Sequence, residues 1–317
     1  MTKTFVILVG TFLLYASAQA ADKVRIGVPP AGGHITFPLA QKRGFLKDEG
    51  VEAEIIRIAG GAATAALVND EINYFTGITF PVRAAIQGLP IRIVACYLPA
   101  PPFVLIARAE IKSVQDLKGK TMGVAEIGQG PDIIGRMILK QSGLDPDRDM
   151  KFIRAGGSEG RLAAMNQGLI AATAVPVPWD VHAKKMGFHV LAKAYELISY
   201  PEVGLVVTVR KIKERPDEIK RVIRAGIKAN RYLRTNRDAT IKFQMDWLRI
   251  DRELAVSSYD SLSRVFNEDG SVPEQGLGLI IEEAKNLAKV QRDVALSEVV
   301  DLSILKEAQR DLGIKGK

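Results

Sequence analysis

Disulfides are absent from this chain: Cys96 is the single cysteine in 317 residues, so no internal crosslink holds the fold. Its setting, Val94-Ala95-Cys96, reads as a strand, and an apolar strand favours a buried thiol over a nucleophile. Histidines number three, and no spacing of Cys, His, Asp or Glu proposes a metal centre or a cofactor site. P-loop and dinucleotide fingerprints are missing as well. The net charge is +8, but the basic residues alternate with acids, as in Lys211-Ile-Lys-Glu-Arg-Pro-Asp-Glu. Such mixed faces are solvated helix surfaces, and without a basic stripe the sequence argues against nucleic acid as a partner. Beyond residue 20 no apolar run is long enough to span a bilayer.

The first twenty residues differ from the rest. Lys3 supplies a positive start, an apolar run extends over residues 5–15, and Ala18-Gln19-Ala20 offers a small-x-small cleavage site. That layout predicts a cleavable signal peptide over 1–20, periplasmic export without a lipid anchor, and a monomer of net charge +7 after cleavage.

The remainder alternates strand and helix patterns. Val24-Arg-Ile-Gly-Val is a short strand followed by a Gly/Pro loop, and residues 51–58 form a second strand leading through Ala59-Gly60-Gly61 into a helix. The same grammar recurs 96–98 residues later: Gly27-Val28 answers to Gly123-Val124, and Ala59-Gly60-Gly61 to Ala155-Gly156-Gly157. Alternating βα units, written twice, predict an α/β protein of two similar lobes with mixed, mostly parallel sheets. Phe103-Val-Leu-Ile-Ala and Gly204-Leu-Val-Val-Thr-Val read as buried extended segments where the chain crosses between lobes. After Arg215 the pattern is helical, with Pro216 and Pro273 at helix starts followed by acids. The expected division is a first lobe of 21–102 and 207–317, carrying the C-terminal helices, and a second lobe of 103–206.

Two segments then carry a resemblance. Leu39-Ala-Gln-Lys-Arg-Gly-Phe-Leu-Lys-Asp-Glu-Gly and Ile111-Lys-Ser-Val-Gln-Asp-Leu-Lys-Gly-Lys, together with the duplication, make residues 22–260 similar to the SsuA/THI5-like (NMT1-like) periplasmic binding proteins. The resemblance implies a type II periplasmic binding protein fold, with two crossover strands and a ligand cleft between the lobes. It also implies service to an ABC importer, with the permease subunits and a small organic or anionic solute as partners. Nitrate, sulfonates, taurine and pyrimidine precursors are the family's range. Two other roles stay open: a sensor module that presents its ligand to a receptor, and an enzyme of the pyrimidine-precursor type. The THI5 enzymes carry a cysteine-rich segment that this chain lacks, which favours binding without catalysis.

Ligands of open α/β sheets sit beyond the carboxyl ends of the strands, so the strand-to-helix loops carry the site expectation. In the first lobe the candidates are His34, Thr36, Phe37, Gly61, Thr79 and Phe80. In the second they are Glu126, Gln129, Gly130, Ser158, Glu159, Pro176 and Trp179. Glycines let backbone N–H groups approach a ligand, and helix N-termini favour an anionic head. Thr36, Thr79 and Ser158 are placed to cap helices or to touch ligand. Phe37 and Trp179 either wall an apolar pocket or pack in the core, and core packing is the expectation for Phe80. His34 is expected to face ligand or solvent, His182 a helix surface, and His189 a strand end. Arg83, Arg136 and Arg161 lie within helices and are the cations able to reach inward.

Overall fold

The structure, a computed structural model, describes residues 21–314. The signal-peptide expectation lies outside the described residues. Ten strands form two sheets of five. The first comprises β1 (Asp22–Val28), β2 (Val51–Arg57), β3 (Tyr74–Gly77), β4 (Ile91–Leu98) and β10 (Val203–Thr208). The second comprises β5 (Phe103–Ala107), β6 (Thr121–Val124), β7 (Lys151–Arg154), β8 (Ala172–Pro176) and β9 (His189–Lys193).

The strand orders, β2-β1-β3-β10-β4 and β7-β6-β8-β5-β9, are the same order written twice. In each sheet four strands run parallel and one, β10 or β5, runs antiparallel between two of them. The duplication extends to packing. A Cβ on Gly27 would stand 2.6 Å from Ile72 Cδ1, and one on Gly123 would stand 2.4 Å from Ile170 Cδ1. Both glycines therefore exist to let an isoleucine from the following helix-to-strand turn lie flat on the first strand. Parallel strands need crossover helices, and each lobe supplies them on the faces of its sheet.

The antiparallel strand is the one each lobe receives across the gap. β5 follows β4 directly but joins the second sheet, and β10 returns from the second lobe to complete the first. Residues 203–206, counted with the second lobe in the sequence, are strand residues of the first: Val203 pairs with Leu98 and Val206 with Ile93 and Phe75. Their uninterrupted apolar character fits a central strand in either sheet, so only the pairing places them. The two crossings lie side by side, with Tyr200 N–H donating to Pro99 O and Glu202 N–H to Leu98 O, both at 2.9 Å.

The C-terminal helices attach chiefly to the first sheet. The 20-residue helix Pro216–Thr235 buries Ile219, Val222, Ile223, Gly226, Ile227, Asn230 and Leu233, positions three and four apart that make one buried stripe. That stripe packs on the helix Thr36–Arg43 and on the helix Ser303–Asp311. One polar pin fixes the contact: fully buried Asn230 donates to Tyr97 O at 2.9 Å and Asn267 O at 2.8 Å, and accepts from Thr36 Oγ1 at 2.9 Å. Both its N–H donors and its carbonyl oxygen are engaged, as burial of an amide requires. Among the described residues no helix is long and apolar enough to cross a membrane.

Candidate ligand cleft between the lobes

Loops at the carboxyl ends of β1, β2, β3 and β6 converge on one cavity of about 760 Å³, within the size range of small-molecule sites. The first lobe contributes Pro29, His34, Gly60 and the run Gly77-Ile78-Thr79-Phe80, with Arg83 one turn into the helix. The second lobe contributes Phe103 and the loop Ile127-Gly128-Gln129-Gly130. Tyr200 and Glu202 reach it from the crossing segment, and Leu287 from the helix Glu274–Ala288.

Local rules hold these groups in place. Gly128 has φ 78°, in the left-handed region that favours glycine, and a Cβ there would press on Leu287 Cδ2 at 3.0 Å. The loop is stapled by Asp132, whose carboxylate accepts from Gly128 N–H at 2.8 Å and from Arg136 Nε at 2.7 Å. Three helices start at the cavity wall: Gly60–Val68, Thr79–Ile86 and Gly130–Gln141. Their first-turn N–H groups and positive dipole ends favour an anion. Arg83 adds a cation whose Nε is buried and without a hydrogen-bond partner among the described residues. Phe75, Phe80 and Phe103 supply apolar wall, and Phe80, 45% exposed, is the most open of these three.

The titratable groups are tuned by burial. His34 is 6% exposed, with Nδ1 3.2 Å from Thr76 Oγ1, and burial pulls its pKa down to about 3, so it is neutral at physiological pH. Burial pushes the Glu202 carboxyl up to about 7, with the nearby Glu283 adding to the rise. Glu283 itself is raised, again by burial first, and its carboxylate accepts from the Tyr200 hydroxyl. Burial and that same glutamate hold the Tyr200 phenol well above its ordinary range.

Of the thirteen sequence candidates, the cavity wall includes His34, Thr79, Phe80, Gln129 and Gly130. Thr36 and Phe37 lie in the first-lobe core, one bonded to Asn230 and the other edge-on to Tyr97 at 5.3 Å. Gly61 is exposed beside the cavity-lining Gly60. Glu126 pairs with Arg154 at 3.0 Å on the surface, and Glu159 is exposed. Pro176 ends β8 opposite Phe103, and Trp179 packs against the core beside His182, ring centroids 5.2 Å apart. Thr36, Thr79 and Ser158 do not cap: each is the first residue of its helix, with Ile35, Ile78 and Gly157 at the capping position and no side-chain cap there. Phe80, expected in a core, instead faces the cavity, because the β3 turn ends before it and points the following helix at the gap. Arg136 is spent on Asp132 and Asp147, and Arg161 on Thr173, Gly156 and Ala174, which leaves Arg83 as the inward cation of the three. Tyr200, Glu202, Glu283 and Leu287 escaped sequence reasoning, since they come from the return crossing and the distant C-terminal helix.

The cavity wall offers groups suited to recognition: backbone N–H groups, a guanidinium and aromatic faces. Gly156-Gly157-Ser158-Glu159-Gly160 has the spelling of a nucleophile elbow between a strand and a helix. Its serine hydroxyl lies 3.3 Å from Arg161 Nη2, however, and His34, His182 and His189 make no hydrogen bond to it. A serine without a base beside it is not activated. Cys96 is buried in β4, where desolvation raises its thiol far above neutrality. Among the described residues no group of three or more His, Cys, Asp or Glu is arranged to hold a metal ion.

Comparison with known proteins follows the same line. The sequence profile described as NMT1/THI5 like matches residues 32–239, about two thirds of the chain. The chain belongs to this family. Among curated relatives, the putative binding protein YtlA of Bacillus subtilis (strain 168) is 26% identical over 152 residues, 45% of this chain and 46% of that one. The match thus spans about half the length of that relative. Among solved structures, the periplasmic aliphatic sulphonate binding protein SsuA from Escherichia coli superposes with a TM-score of 0.72 at 19% identity, over 88% of this chain and 92% of that one. The desulfurization enzyme DSZB superposes with a TM-score of 0.68 at 16% identity, over 92% of this chain and 99% of that one. This NMT1/THI5-like chain therefore has the two-lobed fold of periplasmic binding proteins. That fold also carries an enzyme, so function has to be argued from the cleft.

Proposed function

We propose that the chain is the extracytoplasmic solute-binding component of an ABC importer, and that its cleft captures a small organic solute with an anionic head and an apolar body. The observation that carries this reading is the cavity walled from both lobes at once, into which three helix N-termini and Arg83 point. An anionic head would take the first-turn N–H groups at Gly60, Thr79 and Gly130 and the unpartnered guanidinium. The solute body would lie against Phe80 and Phe103. The family supports the same role, since binding proteins predominate among its structural relatives.

Closure would be a hinge motion about the crossings at Leu98–Pro99 and Tyr200–Glu202, which are paired to each other by two backbone hydrogen bonds. The C-terminal helices span the gap and would register the motion: Leu287 meets Gly128, and Glu253 pairs with Lys185 at 2.5 Å. The closed surface is then what a permease would read.

The test is a thermal-shift screen of nitrate, alkyl sulfonates, aromatic acids and pyrimidines, followed by X-ray scattering with the best binder. Specific binding raises the melting temperature with the logarithm of ligand concentration. A panel without a single stabilising acid, or a binder that leaves the radius of gyration of an open, ligand-free protein unchanged, overturns the proposal.

A further inference from the structure

The cavity has two polar ends, and an anionic head satisfies only one. Glu202 stands at the other. It lies on the return crossing between Pro201 and Val203, both buried, with its own N–H fixed on Leu98 O at 2.9 Å. Its partly buried side chain lines the cavity. Among the described residues nothing hydrogen-bonds or ion-pairs its carboxylate.

Every neighbour leaves that carboxylate in want of a cation. Glu283, from the helix Glu274–Ala288, is an acid and already holds the Tyr200 hydroxyl. Tyr200, on Glu202's own segment, therefore has its proton committed. His34, from the loop after β1, is neutral and engaged with Thr76. Arg83, from the helix Thr79–Ile86, forms no ion pair with Glu202; its field is felt at Glu283. A carboxyl that lines the cavity with no protein donor is free to accept one from a bound solute.

We propose that Glu202 is the specificity-determining residue for a protonated nitrogen on the solute, so that the cleft selects zwitterionic acids over simple ones. This rests on the reading of the cleft as an acid-binding site. Arg83 and the helix N-termini take the anionic head, the phenylalanines take the body, and an ammonium donates to Glu202 at the hinge end. The ligand then bridges the first lobe, the second lobe and the crossing between them. The raised carboxyl gives the arrangement a pH signature: below about pH 7 the proton on Glu202 must leave before an ammonium can pair with it, and affinity for the nitrogen-bearing acid falls.

Two matched probe pairs test this by calorimetry on the full protein: benzoate against 4-(aminomethyl)benzoate, and hexanoate against 6-aminohexanoate, whose flexible chain adapts to the span. At pH 8 the amino acid of at least one pair is expected to bind about tenfold or more tightly than its parent, the scale of one charged hydrogen bond. The preference is expected to shrink at pH 6, to vanish in Glu202→Gln, and to survive in part in Glu202→Asp. Tight binding of the parent acids with no gain from the nitrogen, or a gain that persists in Glu202→Gln, overturns this assignment and leaves the acid-binding reading standing. Failure of all four probes at millimolar concentration overturns both.

Discussion

Replacing His34 by Asn should remove an acid-sensitivity that the fold carries by burying a neutral imidazole. His34 is 6% exposed, and burial lowers its pKa from the ordinary 6.5 to about 3. The folded protein therefore binds no proton at His34 in the range where the unfolded chain binds one. Stability attributable to this residue is intact above pH 6.5 and is lost as pH falls from 6.5 toward 3. Each pH unit in that window is worth about 1.4 kcal/mol, so at pH 5 the wild type forfeits about 2 kcal/mol. For a chain of this length that corresponds to about 4 °C in melting temperature. The measurement is a thermal melt, followed by circular dichroism, of both proteins at pH 7.5 and pH 5. His34→Asn will lose packing and the contact to Thr76 Oγ1 at both pH values. The proton appears only in the difference between the two drops, where the other carboxylates cancel. The variant should fall by about 4 °C less than the wild type between the two conditions. Equal falls would refute the claim that His34 is buried uncharged.

Glu202 should show the opposite slope over a neighbouring window. Its carboxyl rises from 4.5 to about 7, so its contribution is fully present below 4.5 and lost as pH climbs through 7. Glu202→Gln is expected to melt several degrees above wild type at pH 8, by about 2–3 kcal/mol, and level with it at pH 4.5; equal melts at both would count against a desolvated carboxyl. Gly204→Ala places a Cβ 2.5 Å from Ala95 O, a backbone atom with nowhere to go, and is expected to destabilise by about 1–3 kcal/mol in urea unfolding. Gly61→Ala meets nothing within 4 Å inside the helix Gly60–Val68 and should be neutral or stabilising by up to about 1 kcal/mol. Phe80→Ala, at a position 45% exposed on the cavity wall, should weaken the best binder from the thermal-shift screen about fivefold or more while moving the ligand-free melting temperature by under about 2 °C.

The fold was readable because its signals are local and written twice. Gly27 and Gly123 each end a short apolar strand, and Pro216 opens a helix at the position where the chain turns helical. Phe103–Ala107 and the segment around Val203–Thr208 stood out as apolar runs without alternation, the mark of strands buried on both faces. What such a run does not reveal is its partner, and so the lobe boundary near residue 203 had to come from pairing with β3 and β4. The cleft was half readable for the same reason. His34, Thr79 and Gln129 follow strands in sequence and could be placed by the rule of carboxyl-end loops. Glu202 and Leu287 arrive from other parts of the chain, and their spacing carries no trace of the cavity they reach. Ser158 and Trp179 obeyed the rule and still lie away from it: Ser158 is held by Arg161, and Trp179 packs on the core beside His182.

The exchange of β5 and β10 ties synthesis to assembly. β3 and β4 do not touch as neighbours until Val203–Thr208 slides between them, about 105 residues after β4 is made. A nascent chain therefore emerges with its opening sheet split and its apolar edges unpaired until the whole second lobe has followed. Pairings so distant along the chain form slowly. A truncated product ending anywhere before Thr208 would present two incomplete halves, prey to proteolysis, and no stable remnant of the first lobe should be recoverable from it.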